Sequence, residues 1–172
     1  MATGFFYKDP RHLDTLALKM IEFDKGDAKR IQHFLKVHDF ARLIGQNEDL
    51  NEEELFILET AAYVHDIGII PAEKEFGSCT GKLQEELGPK YTEKMLNDLK
   101  FPQEVIDRVC YLVAHHHSYS DTESADLQIL IEADMLVNLL EDDEPESVIK
   151  AAYEKTFRTE TGKAYCRAVF GV

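Results

Sequence analysis

Apolar residues recur at intervals of three and four along almost the whole chain, and no segment sustains the in–out alternation of a strand. This periodicity predicts an all-α bundle of about six to eight helices. It also places polar residues where a bundle has its core. His33 leads a stripe with Val37, Phe40 and Ile44. Leu55, Leu58 and Ala62 lead to His65, which Asp66 follows directly. Val105, Val109 and Leu112 lead to His116, flanked by His115 and His117. Leu127, Leu130 and Ile131 lead to Asp134. Imidazoles and carboxylates on core-facing stripes are costly to bury without a partner.

Punctuation residues divide the helices. Asp9-Pro10 opens the first and Lys25-Gly26 ends it. Asp27 caps a second helix over about 28–44, with Gly45 as its stop signal. Asn51 caps a third, whose first turn carries Glu52, Glu53 and Glu54, and Gly68 with Pro71 ends it. The stretch 69–81 reads as loop or short turns. Gly88-Pro89 and Phe101-Pro102 open the fourth and fifth helices, residues 118–124 form a polar loop, and a sixth helix spans about 125–140. Final helices fall within 146–170 and are expected to pack on the rest. At 172 residues the chain is expected to be one domain over 1–172.

Composition narrows the function. The chain is 44% hydrophobic and 30% charged, an ordinary globular mix. A net charge of −14 repels a nucleic-acid polymer over most of the surface. No apolar run is expected to span a membrane, and the N-terminal residues lack the form of a signal peptide. Cys79, Cys110 and Cys166 are too widely spaced for a CxxC metal site, and a reducing cytoplasm is the simplest compartment. The acidic runs 48–54 and 141–146 read as solvated turns or helix starts.

A lone His33 on an apolar face is more often a hydrogen-bonded core histidine than a ligand. Asp134 is harder to explain, because it sits inside Leu-Gln-Ile-Leu-Ile-Glu-Ala-Asp-Met-Leu-Val and no Arg lies in the neighbouring apolar stripes. Two imidazoles and two carboxylates from separate helices suit a divalent metal ion. Iron, manganese, cobalt, nickel, zinc and magnesium all remain open.

His33, His65-Asp66 and Asp134 in this order resemble the H…HD…D signature of the HD-domain metal-dependent phosphohydrolases. Their settings agree: Arg-Ile-Gln-His33, Ala-Tyr-Val-His65-Asp66-Ile-Gly, Leu-Val-Ala-His115-His116 and Glu-Ala-Asp134-Met-Leu. The resemblance covers about residues 28–140. It implies an HD-type helical fold, a metal held by His33, His65, Asp66 and Asp134, and hydrolysis of a nucleotide or other small phosphate ester by a metal-activated water.

The His115-His116 pair resembles the extra histidines of dinuclear members, so Asp66, His115 and His116 are the expected catalytic residues. Those members carry one more histidine near a Gly-Pro helix start. Here that stretch reads Glu85-Glu86-Leu87-Gly88-Pro89, and Glu85 or Glu86 is the substitute ligand for a second ion beside His115 and His116. His117 is expected at the surface, and His38 and His12 at the surface or behind the ligands. Lys82, Lys90 and Asn138 are the candidate substrate contacts, ahead of Lys74 and Arg158. Two other readings stay open. The extra histidines suit a di-iron HD-fold oxygenase cleaving a C–C or C–P bond. A non-catalytic sensor stabilised by its metal is the third.

Overall fold

The computed structural model describes residues 11–119 and 124–172. The opening at Asp9-Pro10 and most of the polar loop at 118–124 lie outside them. Among the described residues there are nine α-helices and no strand: α1 Arg11–Phe23, α2 Ala28–Asn47, α3 Glu52–Val64, α4 Ile69–Phe76, α5 Gly81–Asp98, α6 Gln103–His115, α7 Ala125–Glu141, α8 Glu146–Lys155 and α9 Glu160–Phe170. The all-α expectation holds. The helix count exceeds the expected range because α4, a two-turn helix with no long stripe of its own, fills the stretch read as loop.

The helix starts follow the capping residues. Asp27 accepts from the backbone N–H of Arg30 at the start of α2. Asn51 and Glu54 form a reciprocal capping box on α3. Thr80 caps α5 and Thr159 caps α9. Gly77 ends α4 at φ 68°, a left-handed conformation that favours glycine.

The centre of the molecule is α3 and α7. Every residue of α3 from Phe56 to Val64 is buried, as is nearly all of α7 from Asp126 to Leu139. A helix that is apolar all round must be surrounded. α2 packs along both, α6 covers α3, and α5 lies on α6. α1 covers another side of α3, and α8 and α9 close the C-terminal end. The stretch Glu52–Phe76 is long and apolar enough to cross a membrane by length and composition only. However, 78% of its most apolar part is buried inside the protein, and a turn at 65–68 separates α3 from α4.

Two glycines expected to end or open helices serve close packing instead. Gly45 lies within α2, where a Cβ would come 3.0 Å from side-chain atoms of Leu55 and Leu58. Gly88-Pro89 lies inside α5, and a Cβ on Gly88 would meet Val113 Cγ1 at 2.6 Å. Gly68, just after the His65-Asp66 turn, has the strictest neighbours. A Cβ there would stand 2.9 Å from Gln84 O and 3.0 Å from Gly88 N, both backbone atoms that cannot swing aside. Gly68→Ala is therefore expected to destabilise the fold by about 1–3 kcal/mol, as overpacking does, measured by urea unfolding. An unchanged midpoint would show that α5 does not press on this turn.

Candidate metal centre

The polar residues on the apolar stripes converge at one point. α2 supplies His33, the C-terminal end of α3 supplies His65 and the turn beyond it Asp66, the end of α6 supplies His116, and α7 supplies Asp134. His33 Nε2 lies 3.1 Å from Asp134 Oδ1, 3.2 Å from His65 Nε2 and 3.5 Å from Asp66 Oδ2. His65 Nε2 is 3.5 Å from both Asp66 Oδ2 and Asp134 Oδ1. His116 Nε2 approaches Asp66 Oδ1 at 3.7 Å. His65 and His116 are fully buried, and His33 and Asp134 nearly so.

The outer nitrogens of these rings decide what the inner ones present. His65 Nδ1 is 2.8 Å from Ala62 O, and His116 Nδ1 is 2.8 Å from Val113 O. A carbonyl oxygen only accepts, so each Nδ1 carries the proton. His33 Nδ1 faces Glu141 Oε2 at 3.1 Å. Burial raises the Glu141 carboxyl, but the hydrogen bonds from Lys36 and His33 outweigh it and hold the group below its usual range. An ionised Glu141 also only accepts. Three Nε2 atoms are thus aimed inward as lone pairs, against the carboxylate oxygens of Asp66 and Asp134. Such a convergence requires positive charge at its centre, as extra protons or as a metal ion.

The titration behaviour reports the same demand. Burial alone would lower His65, but the carboxylates of Asp66 and Asp134 overcome it and push the group up to about 9. His33 is raised as well: burial opposes, and the hydrogen bond with Asp134 prevails. Burial pulls Asp66 and Asp134 upward, yet the imidazoles around them hold both below the ordinary carboxylate range.

Two groups of candidate ligands, each with its atoms within 4.8 Å of one another, stand out among the described residues: His33, His65 and Asp66, and then Asp66, His116 and His117. Asp66 belongs to both. His116 Nε2 is buried and without a hydrogen-bond partner, so the second group contains a nitrogen that nothing in the protein satisfies. The donor set, nitrogen and oxygen from five side chains around one point, fits a divalent ion of borderline hardness.

The chain belongs to the HD domain family, whose model matches residues 30–162. The same fold occurs in the crystal structure of a predicted HD superfamily hydrolase from an uncultured Thermotogales bacterium. That chain is 23% identical, with a TM-score of 0.69 over 99% of this chain and 91% of the other. No curated protein matches the chain.

The remaining candidates separate cleanly. The ring of His115 stacks on Tyr111, with centroids 4.2 Å apart, and its Nδ1 donates to Tyr111 O, so it stands outside both groups. His117, expected at the surface, is half-buried and belongs to the second group, because α6 ends there and the chain turns its ring back. Glu86 lies on the exposed face of α5 against Lys82, at 3.9 Å. The neighbouring acid reaches the histidines instead: Glu85 Oε1 accepts from the backbone N–H of His117, and Gln84 Oε1 lies 2.9 Å from His117 Nε2. Lys90 is exposed and lies over the Tyr91 ring at 6.0 Å. Asn138, one turn beyond Asp134, lines a cleft of about 480 Å³ with Tyr119, Met135, Lys155 and Thr156.

His38 also departs from expectation. It is buried on α2, bonded to Glu59 at 2.8 Å and stacked 4.0 Å from the Tyr63 ring, so it joins α2 to α3. His12 packs edge-on against Phe101. Glu141 was hidden in an acidic run, although it stands seven residues after Asp134 and so on the same face of α7.

Proposed function

We propose that this protein is a metal-dependent phosphohydrolase acting on a small nucleotide or other phosphate ester. One observation carries the reading: three imidazole nitrogens whose outer protons are already committed converge on the buried carboxylate of Asp134 and the partly buried one of Asp66. His33, His65, Asp66 and Asp134 would hold the first ion. A divalent ion held there supplies Lewis acidity to a phosphate oxygen and lowers the pKa of water. It would also offset most of the negative charge of Asp66, Asp134 and Glu141, which otherwise repels an anion.

The protein's own groups do the positioning. Ala62 O and Glu141 fix the rings of His65 and His33, so their nitrogens cannot rotate away. Gln84 and Glu85 pin the turn that carries His116 and His117. Asn138, one turn beyond Asp134 on α7, and Lys155 line a cleft and suit the polar and anionic parts of a substrate, although Asp142 and Glu144 line the same cleft. The test is a panel of p-nitrophenyl phosphates and nucleotides with manganese, iron or cobalt. Turnover lost with chelator and restored by metal supports the reading. No turnover on any member, with metal bound, would refute it for those substrates.

The second group favours one further reading. Asp66, His116 and His117 with the unsatisfied His116 Nε2 suit a second ion, and two irons would suit a di-iron oxygenase. Elemental analysis giving two irons per chain, together with oxygen consumption, would select it over hydrolysis.

The metal reading also fixes a pH dependence. Without metal, His65 (about 9 against an ordinary 6.5) and His33 bind protons more tightly in the folded chain. Their contribution to stability is fully present below about 6.5 and is lost as the pH rises through about 9. A metal must displace those protons. The gain in melting temperature on adding Mn²⁺ is therefore expected to grow from pH 6 to pH 9, while the chelated protein loses stability over the same interval. Melting curves at four pH values check this, and a gain independent of pH would contradict it.

A further inference from the structure

The three inward histidines are not held alike. His65 and His116 give their outer protons to backbone carbonyls, Ala62 O and Val113 O. His33 alone gives its outer proton to a side chain, Glu141 Oε2, at 3.1 Å. The other oxygen of that carboxylate, Oε1, accepts from Lys36 Nζ at 2.6 Å. Lys36 stands three residues after His33 on α2, and Glu141 closes α7 seven residues after Asp134. The carboxylate is nearly buried, at 11% exposure, whereas the Lys36 side chain keeps 40%.

We propose that Glu141, clamped by Lys36, is a positioning residue that orients His33 and makes it the strongest donor of the site. This rests on the proposed reading of His33 as a metal ligand. A carboxylate behind an imidazole fixes the tautomer and ring orientation, and it raises the basicity of the opposite nitrogen more than a neutral carbonyl does. The clamp also joins α2 to α7, the two helices that bring His33 and Asp134 to 3.1 Å. Without Glu141, the ring of His33 is free to turn about its Cβ–Cγ bond, and its Nε2 loses the added electron density. Lys36 keeps the carboxylate in the one rotamer that reaches the ring.

The experiment titrates Co²⁺ alone into the chelator-treated protein and records affinity, the visible Co²⁺ absorption and the melting temperature without metal. Glu141→Ala is expected to weaken Co²⁺ binding by about 10–100-fold and to change the absorption, with little change in the metal-free melting temperature. Glu141→Gln keeps an acceptor without the charge and should recover part of the affinity. Lys36→Ala leaves the carboxylate on His33 and should cost less than Glu141→Ala. Wild-type affinity and spectrum in Glu141→Ala would overturn the proposal. So would a loss in Glu141→Gln that tracks a fall in metal-free stability, since that would mark a purely structural contact. If the unaltered protein binds no Co²⁺, the metal reading falls and this inference with it.

Discussion

Asp66→Ala is expected to abolish turnover on any phosphate ester the protein hydrolyses, by about 10³-fold or more. It is also expected to remove the stabilisation conferred by added metal. Asp66 is the only described residue common to both ligand groups, with Oδ2 3.5 Å from His33 and His65 and Oδ1 3.7 Å from His116. Its loss takes one ligand from each and leaves the raised imidazoles of His33 and His65 facing Asp134 alone. Several kcal/mol of charge stabilisation in the transition state rest on the ion, and each 1.36 kcal/mol is tenfold in rate. The matched control is His115→Ala. That ring is stacked on Tyr111, away from both groups, so its removal should leave turnover within a few-fold of wild type, while His116→Ala should not. Rates and metal content for the three variants, with melting temperatures to confirm folding, check this. A severe loss in His115→Ala with little effect in His116→Ala would reverse the assignment.

His33, His65 and Asp134 were legible in the sequence because each stands on an apolar stripe at helical spacing, where a charged or polar side chain has no ordinary reason to be, and Asp66 by its place directly after His65. What spacing could not resolve was the end of α6. His115, His116 and His117 occupy successive positions about 100° apart on a helix. Choosing among them needs the exact residue where the helix stops and the chain turns. The same limit applies to Glu85 and Glu86, which differ by one step on α5. Glu141 and the α4 helix were missed for another reason. An acidic residue at a helix end and a short apolar segment after a glycine both have commonplace solvated or loop readings. Only the packing of α2 against α7, and of Gly68 against α5, distinguishes them.

The run Glu132-Ala133-Asp134 carries that lesson into stability. Both acids are buried on α7, although only Asp134 continues the stripe of Leu127, Leu130 and Ile131. They stand two positions, about 200°, apart on the helix, so Asp134 faces the histidines and Glu132 faces away. Glu132 Oε1 accepts from Gln128 Nε2 and from the backbone N–H groups of Arg158 and Thr159, at 2.6, 2.6 and 2.9 Å, and Oε2 accepts from Thr159 Oγ1. Thr159 in turn caps Gly162 N at the start of α9. One fully buried side chain thus ties α7 to the segment that launches the last helix. Glu132→Ala takes the acceptor from two backbone donors and two side-chain donors, of which Gln128 Nε2 keeps Thr156 O, and each group that stays unpaired costs about 1–3 kcal/mol. A net loss of about 3–4 kcal/mol is expected, a fall of about 10 °C in melting temperature for a chain of this size. Glu132→Gln retains an oxygen for the Oε1 donors and should fall between Ala and wild type. Gly162→Ala should be comparably severe, since its Cβ would stand 1.9 Å from Glu132 Oε2. Thermal melts and hydrogen exchange of the α9 amides check this. A Glu132→Ala protein within 0.5 kcal/mol of wild type by urea unfolding would show that water, rather than this carboxylate, serves the start of α9.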